Sequence, residues 1–204
     1  RAGAKLNGVL DDFGISLHER VVLDVGASTG GFTDVCLRRG ASLVYALDVG
    51  HDQLHERLRR DPRCVNMEGR NARALRADWF PRPISFICMD VSFISCRTLL
   101  SVIAKELPKT EAVILIKPQF EAGKAALNKN GLVRGKKDHI RTLDTLCAFF
   151  AQMGLSLRGL TNSPICGGDG NIEYLAHLEK SDVPSKSFDI KKIVDIAFEN
   201  ADQW

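Results

Sequence analysis

The chain lacks any apolar run approaching the ~20 residues that span a bilayer. It also lacks the basic-then-apolar opening of a secretion signal. No CxxC pair occurs among its six cysteines, at 36, 64, 88, 96, 147 and 166. Several sit within apolar runs, so they read as small buried hydrophobes in a reducing, cytoplasmic setting rather than a disulfide frame or a zinc site. Aromatic residues are sparse at 7%, which makes base stacking a secondary device in any nucleic-acid contact. There is no strong charge imbalance: 28 basic against 25 acidic side chains leave a net charge of +3. Such a balance neither announces nor excludes nucleic acid, because distribution matters more than the sum. There is no internal repeat and no low-complexity stretch. The chain opens at Arg1 rather than methionine, which predicts that a segment precedes it.

What is present is an α/β alternation. The 204 residues are 45% hydrophobic and 26% charged, as in one soluble domain with a proper core. Short apolar runs occupy Val21–Leu23, Leu43–Leu47, Cys64–Met67, Ile84–Met89 and Val113–Ile116, with weaker ones at Leu155–Leu160 and Ile172–Leu178. Helical patterns cover 3–13, Phe32–Arg39, Leu54–Arg60, Cys96–Glu106 and His139–Met153. Continuous apolar runs between helices indicate strands buried on both faces. The expected fold is a Rossmann-like, mostly parallel, doubly wound sheet of seven strands. Residues 1–15 are expected as a linker and helix, 16–180 as the main domain, and 181–204 as a polar link and a docked amphipathic helix.

The first five runs end on a charge: Asp24, Asp48, Glu68, Asp90 and Lys117. In a parallel sheet these ends share one rim, where open α/β sheets bind ligands. After the first run comes Asp24-Val-Gly-Ala-Ser-Thr-Gly-Gly31, whose Gly26, Gly30 and Gly31 permit a tight turn before a helix N-terminus. Asp48 lies one βαβ unit on, where a carboxylate can grip two ribose hydroxyls. A dinucleotide and S-adenosylmethionine both suit that layout. Serine at 28 stands where a pyrophosphate requires glycine. An acid two residues before Gly26 repels a phosphate and welcomes a sulfonium or amino group, which favours the methyl donor.

Asp90 opens Asp-Val-Ser-Phe-Ile-Ser, and Lys117 opens Lys-Pro-Gln-Phe-Glu, on strands expected to be neighbours. Glu173 sits in an apolar run, where a carboxylate is costly unless paired. Lys5 is the only ionisable group in 2–9. Two lysines and two carboxylates would form a compensated cluster in which an amine can take a proton from an alcohol attacking a sulfonium methyl. No metal is needed, because sulfonium is already a good leaving group. Each residue alone also has a plainer reading, Lys5 as a solvated helix lysine and Glu173 as an edge-strand acid.

Taken together, AspValGlyAlaSerThrGlyGlyPheThrAsp, AspValSerPheIleSer, IleLysProGlnPheGluAlaGly and SerProIleCysGlyGlyAspGlyAsnIleGlu resemble the TlyA family, often labelled haemolysin A and similar to FtsJ-type ribosomal RNA methyltransferases. The resemblance implies methylation of a ribose 2′-hydroxyl in ribosomal RNA from S-adenosylmethionine, with Lys5, Asp90, Lys117 and Glu173 as the catalytic set and Lys117 as the base. It places cofactor contacts at Asp24, Gly26, Ser28, Thr29, Gly30, Gly31, Asp48, Val49, Glu68, Asn71 and Asp90. It also implies an S4 RNA-binding domain ahead of Arg1. A basic, glycine-containing stretch holds Lys124, Lys129, Arg134, Lys136, Lys137 and Arg141, suited to RNA phosphates. Rival readings are a base-amine methyltransferase, for which Asp90-Val-Ser-Phe93 loosely imitates the amine-gripping element, an NAD(P) oxidoreductase, and a haemolysin-type membrane-active protein. No amphipathic pore former supports the last, and no membrane partner is expected.

Overall fold

The computed structural model describes residues 1–109 and 111–203. Seven strands form one sheet: β1 (Val21–Val25), β2 (Leu43–Asp48), β3 (Cys64–Glu68), β4 (Phe86–Met89), β5 (Glu111–Ile116), β6 (Leu155–Asn162) and β7 (Tyr174–Lys180). Their spatial order is β3-β2-β1-β4-β5-β7-β6. Strands β1 to β5 pair in parallel, while β7 runs antiparallel to both β5 and β6. All seven apolar runs of the sequence are strands. The reversal of β7 was not encoded in any run, because apolar patterning reports burial and not direction.

The helices are α1 (Ala2–Asp12), α2 (Gly31–Arg38), a single turn α3 (Glu56–Arg59), α4 (Cys96–Glu106), α5 (Lys136–Gln152) and α6 (Ile190–Ala201). Side chains alternate across each strand, so the sheet feeds two cores. Val22, Ala46 and Val113 face α1, α2 and α3 through Leu6, Leu10, Cys36 and Leu58. Leu23, Val25 and Ile114 face α4, α5 and α6 through Leu99, Leu100, Leu143, Leu146 and Val194. The first helix therefore packs into the same core as the sheet: an added Cβ on its Gly3 would lie 2.9 Å from the Gly31 carbonyl.

Strand order reverses between β1 and β4, the switch point at which a crevice opens above the carboxyl ends. Because β7 is reversed, its beginning reaches that same rim: Tyr174 pairs with Ile116, so Glu173 and Lys117 sit side by side. At the opposite rim, Arg20 and His177 both bond Glu111, at 2.9 and 2.8 Å. That network ties β5 and β7 to the segment entering β1, away from the crevice.

Candidate active site

The glycine turn explains its own composition. Gly26 has φ +84°, and a Cβ there would lie 2.1 Å from the carbonyl oxygen of Asp90. The turn after β1 can therefore close against the end of β4 only with glycine. Gly26→Ala is expected to destabilise the fold by at least ~2 kcal/mol, from left-handed strain plus the clash, as read from urea unfolding. Ser28 also adopts positive φ, and its amide donates to Asp48 Oδ2 at 2.7 Å, while Gly50 N donates to Oδ1 at 2.7 Å. Asp48 thus locks the β1 turn to the β2 turn.

A cleft of about 570 Å³ opens there, with Gly26, Ser28, Asp48, Val49, Asn71 and Asp90 among its lining residues. Val49 is largely exposed on its wall. Five of the expected contacts lie outside the lining. Thr29 accepts from His55 N through its carbonyl, at 3.0 Å. Gly30 faces Leu58 of α3, and Gly31 faces α1. Glu68 is occupied by Arg59 at 3.2 Å and by the Gln53 amide at 2.8 Å, so it holds the 50–55 loop.

Asp24 departs furthest from expectation. It is sealed from solvent beneath the turn, with its Oδ2 accepting from Thr33 Oγ1 at 2.7 Å. Burial, with a smaller push from the Asp90 charge, raises its pKa to about 7 against the lowering effect of the Thr33 bond. A sealed carboxyl that holds its proton until near-neutral pH offers no exposed counter-charge to a cation. Arg70 and Gln53 line the cleft too and were not expected; neither belongs to an apolar run or a motif, and only the folding of their loops brings them in.

The four charged residues do converge, as two ion pairs. Lys117 Nζ lies 2.6 Å from Asp90 Oδ1 and donates to Ser92 Oγ at 3.1 Å. Lys117 is held extended by the proline that follows it. Lys5 Nζ meets Glu173 Oε2 at 2.5 Å, with both side chains almost completely buried (8% and 2% exposed). Lys5 is therefore not the solvated helix lysine of the plainer reading. Burial raises the Glu173 pKa, opposed by Lys5 and, more weakly, by Lys117.

A second hollow, of about 450 Å³, is lined by Lys117, Glu173, Gln119, Asp169 and the segment Asn130–Gly131. It shares Ser92 and Phe93 with the first cleft. Phe93 is 91% exposed and has φ +64°, with its ring centroid 5.2 Å from that of Phe120. A large ring held in water on a strained backbone marks a functional surface more than a packing one. The sequence signal was available in Asp90-Val-Ser-Phe93, but it pointed to the acid.

Around the second hollow, Lys124, Lys129, Arg134 and Lys137 are exposed and make no ion pair among the described residues. Lys136 is engaged by Asp195 at 3.2 Å and Arg141 by Asp138 at 2.7 Å. A second basic run, Arg57, Arg59, Arg60, Arg63, Arg70, Arg73 and Arg76, is largely self-neutralised, since Arg57, Arg59, Arg60, Arg63 and Arg76 each pair with an acid.

A seven-stranded sheet with one reversed strand, a glycine turn at its switch point and a cleft at that rim make up a Rossmann-like fold, the one seen in solved S-adenosylmethionine-dependent methyltransferases. The chain belongs to the FtsJ-like methyltransferase family, whose profile matches residues 1–180. It is 46% identical over 180 residues to YqxC of Bacillus subtilis (strain 168), provisionally named an rRNA methyltransferase, covering 87% of this chain and 64% of that protein. It is 39% identical over 179 residues to the 16S/23S rRNA (cytidine-2′-O)-methyltransferase TlyA of Mycobacterium tuberculosis (strain ATCC 25618 / H37Rv), covering 87% and 67%. A solved structure from Streptococcus thermophilus, provisionally named a hemolysin, superposes with TM-score 0.95 at 45% identity, over 100% of this chain and 75% of that one. The chain thus spans about two thirds to three quarters of the length of these relatives.

Proposed function

We propose that this chain is the catalytic part of an S-adenosylmethionine-dependent methyltransferase that modifies a ribose 2′-hydroxyl of ribosomal RNA in the cytoplasm. The observation that carries the reading is the meeting of Lys117 and Asp90 at the border between two hollows that share Ser92 and Phe93. The first hollow fits the donor. Asp48, at the end of β2, suits the ribose hydroxyls, while Val49 and Asn71 offer an apolar face and a polar edge for the adenine. When bound, S-adenosylmethionine supplies an electrophilic methyl group on sulfur.

The remaining work falls to the chain. Lys117, in its amine form, takes the hydroxyl proton as the ribose oxygen becomes nucleophilic, and Asp90 and Ser92 hold the ammonium that results. Glu173, which lines the acceptor hollow, is balanced by the buried Lys5 behind it, so it brings no unpaired charge there. Phe93 gives the target base a flat apolar surface, and the four unpaired cations of the 124–137 stretch meet backbone phosphates. The rRNA names of the relatives support the acceptor class. Among the described residues no helix is long and apolar enough to cross a membrane, so the hemolysin labels find no support in a helical span.

The test is transfer of tritiated methyl from S-adenosylmethionine to undermethylated ribosomal RNA by the full-length protein. Label at one position that blocks alkaline cleavage of the adjoining phosphodiester is expected. Label on a base overturns the ribose reading and favours the amine alternative.

A further inference from the structure

Glu121 closes the motif Lys117-Pro-Gln-Phe-Glu121, yet it lines neither hollow shared by the catalytic groups. Its side chain is only 3% exposed, and a buried carboxylate is retained only where its oxygens are used. Both are. Oε2 accepts from Ser95 Oγ at 2.6 Å, and Oε1 accepts from the Cys96 amide at 2.6 Å. Arg97 Nε lies 3.6 Å from Oε2. Ser95 is the N-cap of α4, and Cys96 is its first residue, so the carboxylate also meets the positive end of an 11-residue helix.

These bonds run between two loops. One follows β4 and carries Asp90, Ser92 and Phe93; the other follows β5 and carries Lys117, Gln119 and Phe120. They are laced at three points. Lys117 meets Asp90 and Ser92 at the reacting end. The rings of Phe93 and Phe120 touch in the middle. Glu121 fastens the far end. A strained φ at Phe93 persists only if the surrounding loop is held on both sides. On one side it is held by β4, and on the other by the start of α4, which Glu121 grips.

We infer that Glu121 is a positioning residue that sets the spacing of the Asp90–Phe93 and Lys117–Phe120 loops, and through them the alignment of Lys117 with the acceptor ribose. The inference rests on the methyl-transfer reading for its kinetic consequence but not for its structural one. Without the carboxylate the loops separate at their far end and the acceptor sits less well aligned, while Gly26, Asp48 and Val49 on the donor side are untouched. A misalignment of about 1 Å can cost on the order of 10²-fold in rate.

The test compares Glu121→Ala, Glu121→Gln and the parent in the full-length protein. Hydrogen exchange read without any substrate should show faster exchange of the 92–97 amides in the alanine variant alone. Methyl transfer to ribosomal RNA should lose about 10–100-fold in kcat in that variant. Its KM for S-adenosylmethionine should stay within about 2-fold. Glutamine keeps a carbonyl for the Cys96 amide and an amide facing Ser95, and it should restore the rate to within about 3-fold. Unchanged exchange at 92–97 overturns the inference. So does a glutamine variant as slow as alanine, or a loss of donor affinity that matches the loss of rate. If exchange quickens as expected but the parent itself transfers no methyl to RNA, the failure belongs to the functional reading and the fastening of the loops stands.

Discussion

Replacing Lys117 with alanine is expected to lower methyl transfer by about 10²–10⁴-fold, the range for removing a positioned general base. Affinity for S-adenosylmethionine should change little. The lysine lines the second hollow but not the first cleft, whose lining comes mostly from the ends of β1 and β2 and from the loops after β1, β2, β3 and β4. The change leaves Asp90 with Ser92 nearby and 19% of its side chain in solvent, so it can hydrate and the fold should survive. Single-turnover rates and equilibrium binding of the donor, measured on the same preparation, separate the two effects. A Lys117→Ala protein that retains full transfer would remove the base from the scheme and favour chemistry on a base amine, which has no need of it.

The second large effect concerns stability. In the unfolded chain Asp24 has the ordinary aspartate value of about 3.8, and burial in the fold pushes it up to about 7. Below about pH 4 both states are protonated, and the group costs nothing. Between there and neutrality the unfolded chain releases the proton that the folded chain retains, so stability falls as pH rises; above about pH 7 the whole cost is present. A shift of that size corresponds to an upper figure of about 4 kcal/mol. Asp24→Asn keeps an oxygen for Thr33 without the charge. It is expected to stabilise the protein by about 2–4 kcal/mol near pH 8 and by far less near pH 4. Urea denaturation of both proteins across that range checks the difference curve. Other carboxyls, such as Glu111 with its lowered pKa, are common to both proteins and cancel in the subtraction. Parallel curves would show that the carboxyl is not held neutral.

The two cases show what could be read from the residues. Lys117 and Asp90 were legible because each ends a buried apolar strand with a charge, and parallel strands bring such ends to one rim. Their 2.6 Å contact follows once β4 and β5 are neighbours. Lys5 and Glu173 stood out in the residues, one as the only ionisable group in 2–9 and the other as a carboxylate in an apolar run, but their pairing with each other was not readable locally. Nothing local says that a helix at residue 5 reaches the start of a strand at residue 174, and the plainer reading of each alone was reasonable. The burial of Asp24 was not legible, because a run ending on a charge does not say which way the charge faces: β1 continues to Val25, and Asp24 turns inward to Thr33. Phe93 and Glu121 were missed as site residues, and Arg70 was read only as part of a basic run, because hydrophobic periodicity speaks of cores. It says nothing of a ring held in water, a loop arginine or an acid that grips a helix start.

The reversed strand has a consequence for assembly. Strand β6 precedes β7 in the chain but joins the sheet only through it, as the outermost member. Strand β7 pairs along the whole of β5, and Glu173, just ahead of its first residue, is the counter-charge of the buried Lys5. One segment thus both covers the edge of β5 and balances the charge of the first helix, so detaching it would undo both at once.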